Sequence, residues 1–377
     1  MTKSREIQVD VSSTPYYHVY SRCVRQAYLF DSDLGIDHKQ LFIERLKTLT
    51  SVFCIDIAAY AVMSNHYHLV VHIDSERLAR LDEREVASRW FRLFKNTLAE
   101  SWLNYVELSE SEKLHLDASL VEWRQRLGDL SWFMRCLNEY IAREVNKLEK
   151  TKGRFWESRF KSKALLDEAA LLTCMQYVDL DPIRADSPIN TLEHSDYTAI
   201  QDRIIAYQLE NKNKLSRKLK ARANTVQLDD DGEVKGLMPF AKPPLKFSER
   251  ELLFSKKAPI DTADTMAEPS TACIPFYRDD YFELIEWTGK ALLPNKAGSI
   301  PNQLIPILER LNLNAAHWLD TISEFDKHFI QVVGQESEIR RYCKKLTQDS
   351  KRKHGLLHDT FSWFKGIAQS RKMYRTA

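Results

Sequence analysis

The stretch that most limits what this chain can fold into is IDIAAYAVMSNHYHLVVHI, residues 55–73. Two apolar runs, IDIAAYAVMS (55–64) and YHLVVHI (67–73), meet at Ser64–Asn65. Their length, β-branched content and central turn residues predict two strands joined by a tight turn. Strands this apolar must sit inside a sheet and be covered on at least one face.

The flanking sequence says which kind of sheet. YYHVYSRCV (16–24) alternates as a strand does, and DHKQLFIERLKTLTSVF (37–53) repeats apolar residues at helical spacing behind an acidic start. Strand, helix, strand, strand is half of a ferredoxin-like (RRM-like) antiparallel sheet in an α+β fold. A long helical stretch follows, with EREVASRWFRLFKNTLAESWL (83–103) and DLSWFMRCLNEYIAREVNKLEK (129–150), the latter with Asp129 or Ser131 as N-cap and Gly153 as its stop. RFWESRFKSKALL (154–166) reads as a basic strand, and DEAALLTCMQYVDLDP (167–182) as a helix with acids at its start and Pro182 at its end. These supply the second half of the sheet fold, so residues 1–206 form one α+β domain with a large helical insertion at about 80–150.

From about residue 207 the pattern changes. Acids, glycines and prolines in DDDGEVKGLMPFAKPPLK break any periodicity, so 207–248 reads as a linker, and helical spacing resumes over 249–377 as a second, helical domain. The run KNKLSRKLKAR (212–222) carries six cations and no acid within a chain of net charge +2; it suits phosphate binding or a solvated helix or linker equally. No window approaches 18 uninterrupted apolar residues and the start lacks a secretory apolar core, so the expectation is a cytoplasmic protein without a membrane partner. Six scattered cysteines without a CxxC pair fit reduced thiols.

The chemistry concentrates in the strand pair. Side chains alternate, so His66 and His68 project from one face with Cα atoms about 6.5–7 Å apart, near enough for two rings to converge on one cation. His72 shares their parity but lies about 13 Å beyond His68, too far for an unbent site. Alone, such a pair fits packed or solvated histidines as well as metal ligands. In CMQYVDLDPIRAD (174–186), Tyr177 and Asp181 stand four residues apart and share a helix face. That spacing allows a phenol nucleophile beside a carboxylate ligand; it also allows a core tyrosine and a helix-ending aspartate.

Four stretches, SNHYHLVV, YVDLDPIRA, YHVYSRCVRQAYLF (17–30) and GRFWESRFKSKAL (153–165), together resemble the single-tyrosine HUH transposases. Within that superfamily the resemblance is to the REP-associated tyrosine transposases, bacterial proteins tied to repeated palindromic DNA, and it covers about residues 14–200. It implies a metal site of His66, His68 and Asp181 for Mg²⁺ or Mn²⁺, with Tyr177 as the nucleophile. The implied activity is that of a metal-dependent single-stranded DNA endonuclease and strand transferase, cutting hairpin-forming DNA through a 5′-phosphotyrosine.

Asp181 departs from the family, where asparagine is usual; a carboxylate is a good hard-oxygen ligand for these ions. Arg22, Arg25, Arg154, Arg159, Lys161 and Arg184 are candidate nucleic-acid contacts, with Trp156 or Phe160 as base-stacking groups. The implied partner is single-stranded or hairpin DNA, the state monomer or homodimer, the location nucleoid-associated. The alternative is a catalytically silent DNA- or RNA-binding protein using the same sheet surface. A rolling-circle initiator or relaxase would share the chemistry but not this motif order.

Overall fold

The structure, a computed structural model, describes residues 9–32, 34–185, 191–211, 217–242, 272–293, 305–354 and 368–374. The fold is α+β, and the strands β1 (Tyr16–Arg22), β2 (Ile55–Val62), β3 (His66–Ile73) and β4 (Lys161–Leu165) stand in the order β2-β3-β1-β4. Contacts divide the chain into two compact units, Met1–Ala164 with Lys235–Leu237, and Leu165–Val234 with Met238–Ala377.

The first unit opens with β1 (Tyr16–Arg22), α1 (His38–Thr50), β2 (Ile55–Val62) and β3 (His66–Ile73). Asp37 caps α1 by accepting from Gln40 N at 2.8 Å, which satisfies one orphan amide of the first turn. β3 pairs antiparallel with both β1 and β2, and a bulge interrupts the β2 register between Ile57 and Ala59. This register sorts the side chains. Tyr17, Val19, Tyr67, Leu69 and Val71 form a fully buried apolar face. Tyr67 packs on Phe42 of α1 and on Trp156, and its hydroxyl donates to Asn138 Oδ1 at 2.7 Å. The opposite face carries Tyr16, His18, Tyr20 and Arg22 against His72, Val70, His68 and His66. One face is core and the other is polar.

The insertion comprises α2 (Ser75–Arg80), α3 (Glu83–Phe91), α4 (Thr97–Leu103), α5 (Glu110–Leu127) and α6 (Leu130–Leu148), and β4 (Lys161–Leu165) follows. Two differences from the sequence reading have local causes. The single helix over 83–103 is two, because Asn96 adopts an extended backbone and caps a new helix through Ala99 N. The helix from Leu130 stops at Glu149, before the left-handed Lys150 (φ 53°), so Gly153 plays no capping role. The basic strand is also shorter: among 154–160 only Trp156 makes a bridge, to Cys23. Gly236, at φ 90°, is required where it lies, since a Cβ there would stand 3.0 Å from Thr50 Oγ1.

The second unit begins with α7 (Glu168–Asp179) and α8 (Asp181–Arg184), followed by α9 (Ala199–Glu210), α10 (Arg217–Ala223) and the parallel pair of β5 (Phe240–Ala241) with β6 (Ile274–Tyr277). Then come α11 (Arg278–Leu292), α12 (Ile305–Arg310), α13 (Trp318–Ser323), α14 (Phe325–His328), β7 (Val332–Val333) and α15 (Glu336–His354). The stretch read as a linker thus holds the end of α9, α10 and β5, while 243–271 lie outside the described residues. Of the basic run, 212–216 also lie outside them, and Arg222 pairs with the buried Asp202 at 3.3 Å.

Cys273 is exposed, the other five cysteines are buried, and none of the six forms a disulfide. Burial pushes the Cys23 and Cys343 thiols up to about 12, which keeps them protonated and unreactive. Among the described residues no helix is long and apolar enough to cross a membrane.

Candidate active site

In the first unit the two histidines stand where strand parity put them. Their ring centroids are 5.1 Å apart and the rings are nearly perpendicular. Each ring is oriented through Nδ1. For His66 the partner is Asn65 Oδ1 at 2.6 Å, and the Asn65 amide is itself oriented because its Nδ2 donates to Gln26 O at 3.1 Å. An oxygen acceptor requires a proton on His66 Nδ1, which leaves Nε2 of the neutral ring as the lone-pair nitrogen. For His68 the Nδ1 partner is His18 Nε2 at 2.8 Å, both side chains being almost wholly buried. For His66 the nitrogen that could ligate is therefore Nε2, and in both rings an outer group fixes the orientation, as metal-binding histidines require.

The turn that presents this pair is clamped by the loop after β1. Cys23 N donates to Asn65 O at 2.8 Å and Phe30 N to Ser64 O at 3.0 Å. Arg25 and Gln26 adopt left-handed backbones there (both φ 55°). His72 is committed elsewhere: its Nδ1 meets Asp56 Oδ2 at 3.3 Å, and Asp56 pairs with Arg77 at 2.8 Å.

In the second unit, α7 ends at Asp179, two residues before the expected stop. Pro182 cannot donate to Val178, so the chain kinks at Leu180 and Asp181 begins α8. Tyr177 and Asp181 remain neighbours through Arg184. Its Nη2 donates to Asp181 Oδ1 at 2.6 Å and to Tyr177 O at 3.1 Å, and its guanidinium lies 3.9 Å from the Tyr177 ring centroid. The opposite side of the ring stacks on Phe325 at 4.9 Å. Tyr177 is 5% exposed. Burial pushes its phenol well above the ordinary value, Arg184 pulls it down, and Asp326 and Asp181 push it up. His66 and His68 offer two imidazole donors in the first unit, and Asp181 offers a carboxylate in the second.

The predicted nucleic-acid contacts divide. Arg22, Arg25, Arg154, Arg159 and Lys161 are exposed, whereas Arg184 is engaged by Asp181 and Tyr177. Trp156 is held in packing, its Nε1 donating to Asn138 O at 2.9 Å, and Phe160 is buried. Sequence reasoning missed His18, Tyr20 and Lys163. Tyr20 stacks on His68 at 5.5 Å, and the buried Lys163 places Nζ 5.5 Å from the Tyr20 ring centroid. The available signal was the alternation of His18, Tyr20 and Arg22 in β1, which becomes informative only once β1 is known to pair with β3.

No family model and no curated protein matches the chain. Among solved structures it is similar to one described as "Structure of the REP associates tyrosine transposase bound to a REP hairpin". Identity there is 10%, the likeness covers 54% of this chain and 86% of that one, and the TM-score is 0.32. The likeness is distant, and the reading of the site stands on its own residues.

Proposed function

We propose that this chain is a metal-dependent endonuclease and strand transferase acting on single-stranded, hairpin-forming DNA, of the REP-associated tyrosine transposase kind, on a ferredoxin-like sheet. The observation that carries the reading is the His66 and His68 pair, two imidazoles rising from one strand face with each Nδ1 already engaged; Asp181, on the segment that bears Tyr177, is the third donor of the proposal. The order β2-β3-β1-β4, with α1 between β1 and β2 and helices between β3 and β4, supports the split β-α-β plan.

Two imidazole nitrogens and a carboxylate oxygen suit Mn²⁺ or Mg²⁺. Bound there, a divalent cation supplies charge withdrawal from a scissile phosphate and lowers the cost of ionising a nearby phenol. The residues do the rest. Tyr177 gives up its proton and its oxygen bonds to phosphorus; the bond to the 3′ oxygen breaks, and that oxygen takes a proton. The product is a 5′-phosphotyrosine with a free 3′-hydroxyl, which keeps the bond energy for rejoining. Arg184 favours the phenolate through its charge and holds Asp181 in place. The exposed Arg22, Arg25, Arg154, Arg159 and Lys161 bind phosphates.

The burial of Tyr177 favours the second reading, a catalytically silent DNA- or RNA-binding protein. One experiment separates them. Full-length protein is mixed with a labelled single-stranded hairpin in Mn²⁺, and covalent adduct is read on a denaturing gel. The enzyme reading expects an adduct in wild type, none in Tyr177→Phe, none in EDTA, and hairpin binding retained by the variant. Binding without any adduct in wild type selects the silent protein.

A further inference from the structure

The described residues beyond 237 take no part in the proposed chemistry, yet their contacts within the second unit converge on α7, the helix bearing Tyr177. At its N-terminal end Asp167 caps the helix by accepting from Ala170 N at 2.8 Å. The same carboxylate accepts from Gln335 N at 2.8 Å and from the Tyr374 hydroxyl at 2.6 Å. Beside it Leu166 N donates to Val333 O at 2.9 Å. The approach is close enough to demand glycine at 334, where a Cβ would meet Leu166 Cβ at 2.8 Å. At the other end Asp179, wholly buried, accepts from the Tyr281 hydroxyl at 2.6 Å and from Ile200 N at 3.3 Å.

A helix of this length needs one accepted amide at its N-cap to be well capped. Asp167 collects three donors instead. Asp179 projects from the last turn, where a carboxylate opposes the helix dipole and is costly to bury. The two further donors on Asp167 and the buried carboxylate of Asp179 do not serve helix formation. Each instead ties one end of α7 through a tyrosine hydroxyl distant in sequence, 207 residues away for Tyr374 and 102 for Tyr281. Fixing both ends removes freedom of translation along the helix axis and of rotation about it. Those are the two motions that would displace the Tyr177 oxygen and, two residues past Asp179, the Asp181 carboxylate.

We infer that Asp167 and Asp179 are positioning residues that pin the two ends of α7, with Tyr374 and Tyr281 as their clamps, so that the C-terminal part of the chain sets where Tyr177 and Asp181 stand. The clamp is a property of the second unit alone; its effect on rate rests on the nucleophile reading above.

The test uses full-length Tyr281→Phe, Tyr374→Phe and the double variant, each lacking only hydroxyl oxygens. Single-turnover adduct formation, hairpin affinity and amide hydrogen exchange are measured on each. A misplaced nucleophile costs rate, so adduct formation should fall about 10- to 100-fold in each single variant while hairpin affinity stays within about 2-fold. Exchange should quicken in α7 and α8 and stay unchanged in β1, β2 and β3. Unchanged exchange in α7 overturns the clamp. Quickened exchange with an unaltered adduct rate overturns the positioning role and leaves the contacts merely structural. If wild type forms no adduct, the nucleophile reading fails on its own, and the exchange data still decide the clamp.

Discussion

The two halves of the proposed site are built in opposite ways. In the first unit, His66 and His68 rise from a sheet face on which the register alone fixes their separation, and each ring has its Nδ1 already occupied, by Asn65 and by His18. In the second, Tyr177 is packed between the Arg184 guanidinium and the Phe325 ring, and burial holds its phenol in the protonated state. On the proposed reading the histidine half offers oriented donors, and the tyrosine half is packed in place but not activated. On that reading the contrast teaches that metal affinity should depend on the first unit's register and cleavage on the second unit's packing.

The contrast breaks most plainly if the histidines do not bind. His66 is half-buried, so His66→Ala should leave the fold intact while Mn²⁺ affinity, followed by electron paramagnetic resonance, falls by more than about 100-fold, beyond what loss of an outer partner causes. Unaltered Mn²⁺ affinity would remove the metal half of the proposal.

A smaller effect sharpens it. In the proposed site His18 would reach the ion only through His68, and His18→Phe keeps a ring to stack on Tyr20 and His68 while deleting the hydrogen bond. Outer-shell partners of ligating histidines are worth about 10- to 100-fold in affinity, so Mn²⁺ binding should weaken by that range. Equal losses for His18→Phe and His66→Ala would mean that His18 is itself a ligand.

Much of this was legible in the sequence, and what was not has a common cause. The strand pair, the parity of His66 and His68, the acidic starts of α1 and α7 and the cap at Asp129 are local: periodicity, a turn dipeptide and a side chain reaching three residues on. His18 was missed because its role needs the pairing of two strands 50 residues apart, and Tyr281 and Tyr374 because they meet α7 from 102 and 207 residues away. The helix break came early for a different reason. Pro182 was read as the stop, but a proline removes the bond to the residue four before it, so the ladder fails a turn upstream.

The smallest expected effect is the most discriminating for the register argument. His72 lies in the same strand with the same parity as His66 and His68, and composition alone would count it as a third ligand. Geometry says otherwise. Its Nδ1 meets Asp56, Asp56 is neutralised by Arg77, and its ring packs on Tyr16 at 4.8 Å rather than on the other histidines. His72→Asn should therefore change Mn²⁺ affinity by less than about 2-fold, while any stability loss reflects the broken Asp56 contact and stays near the 1 kcal/mol typical of one hydrogen bond. A loss comparable to that of His66→Ala would mean that the strand bends enough to bring all three rings to one ion, and the separation fixed by the pleat would no longer be the reason His66 and His68 work as a pair.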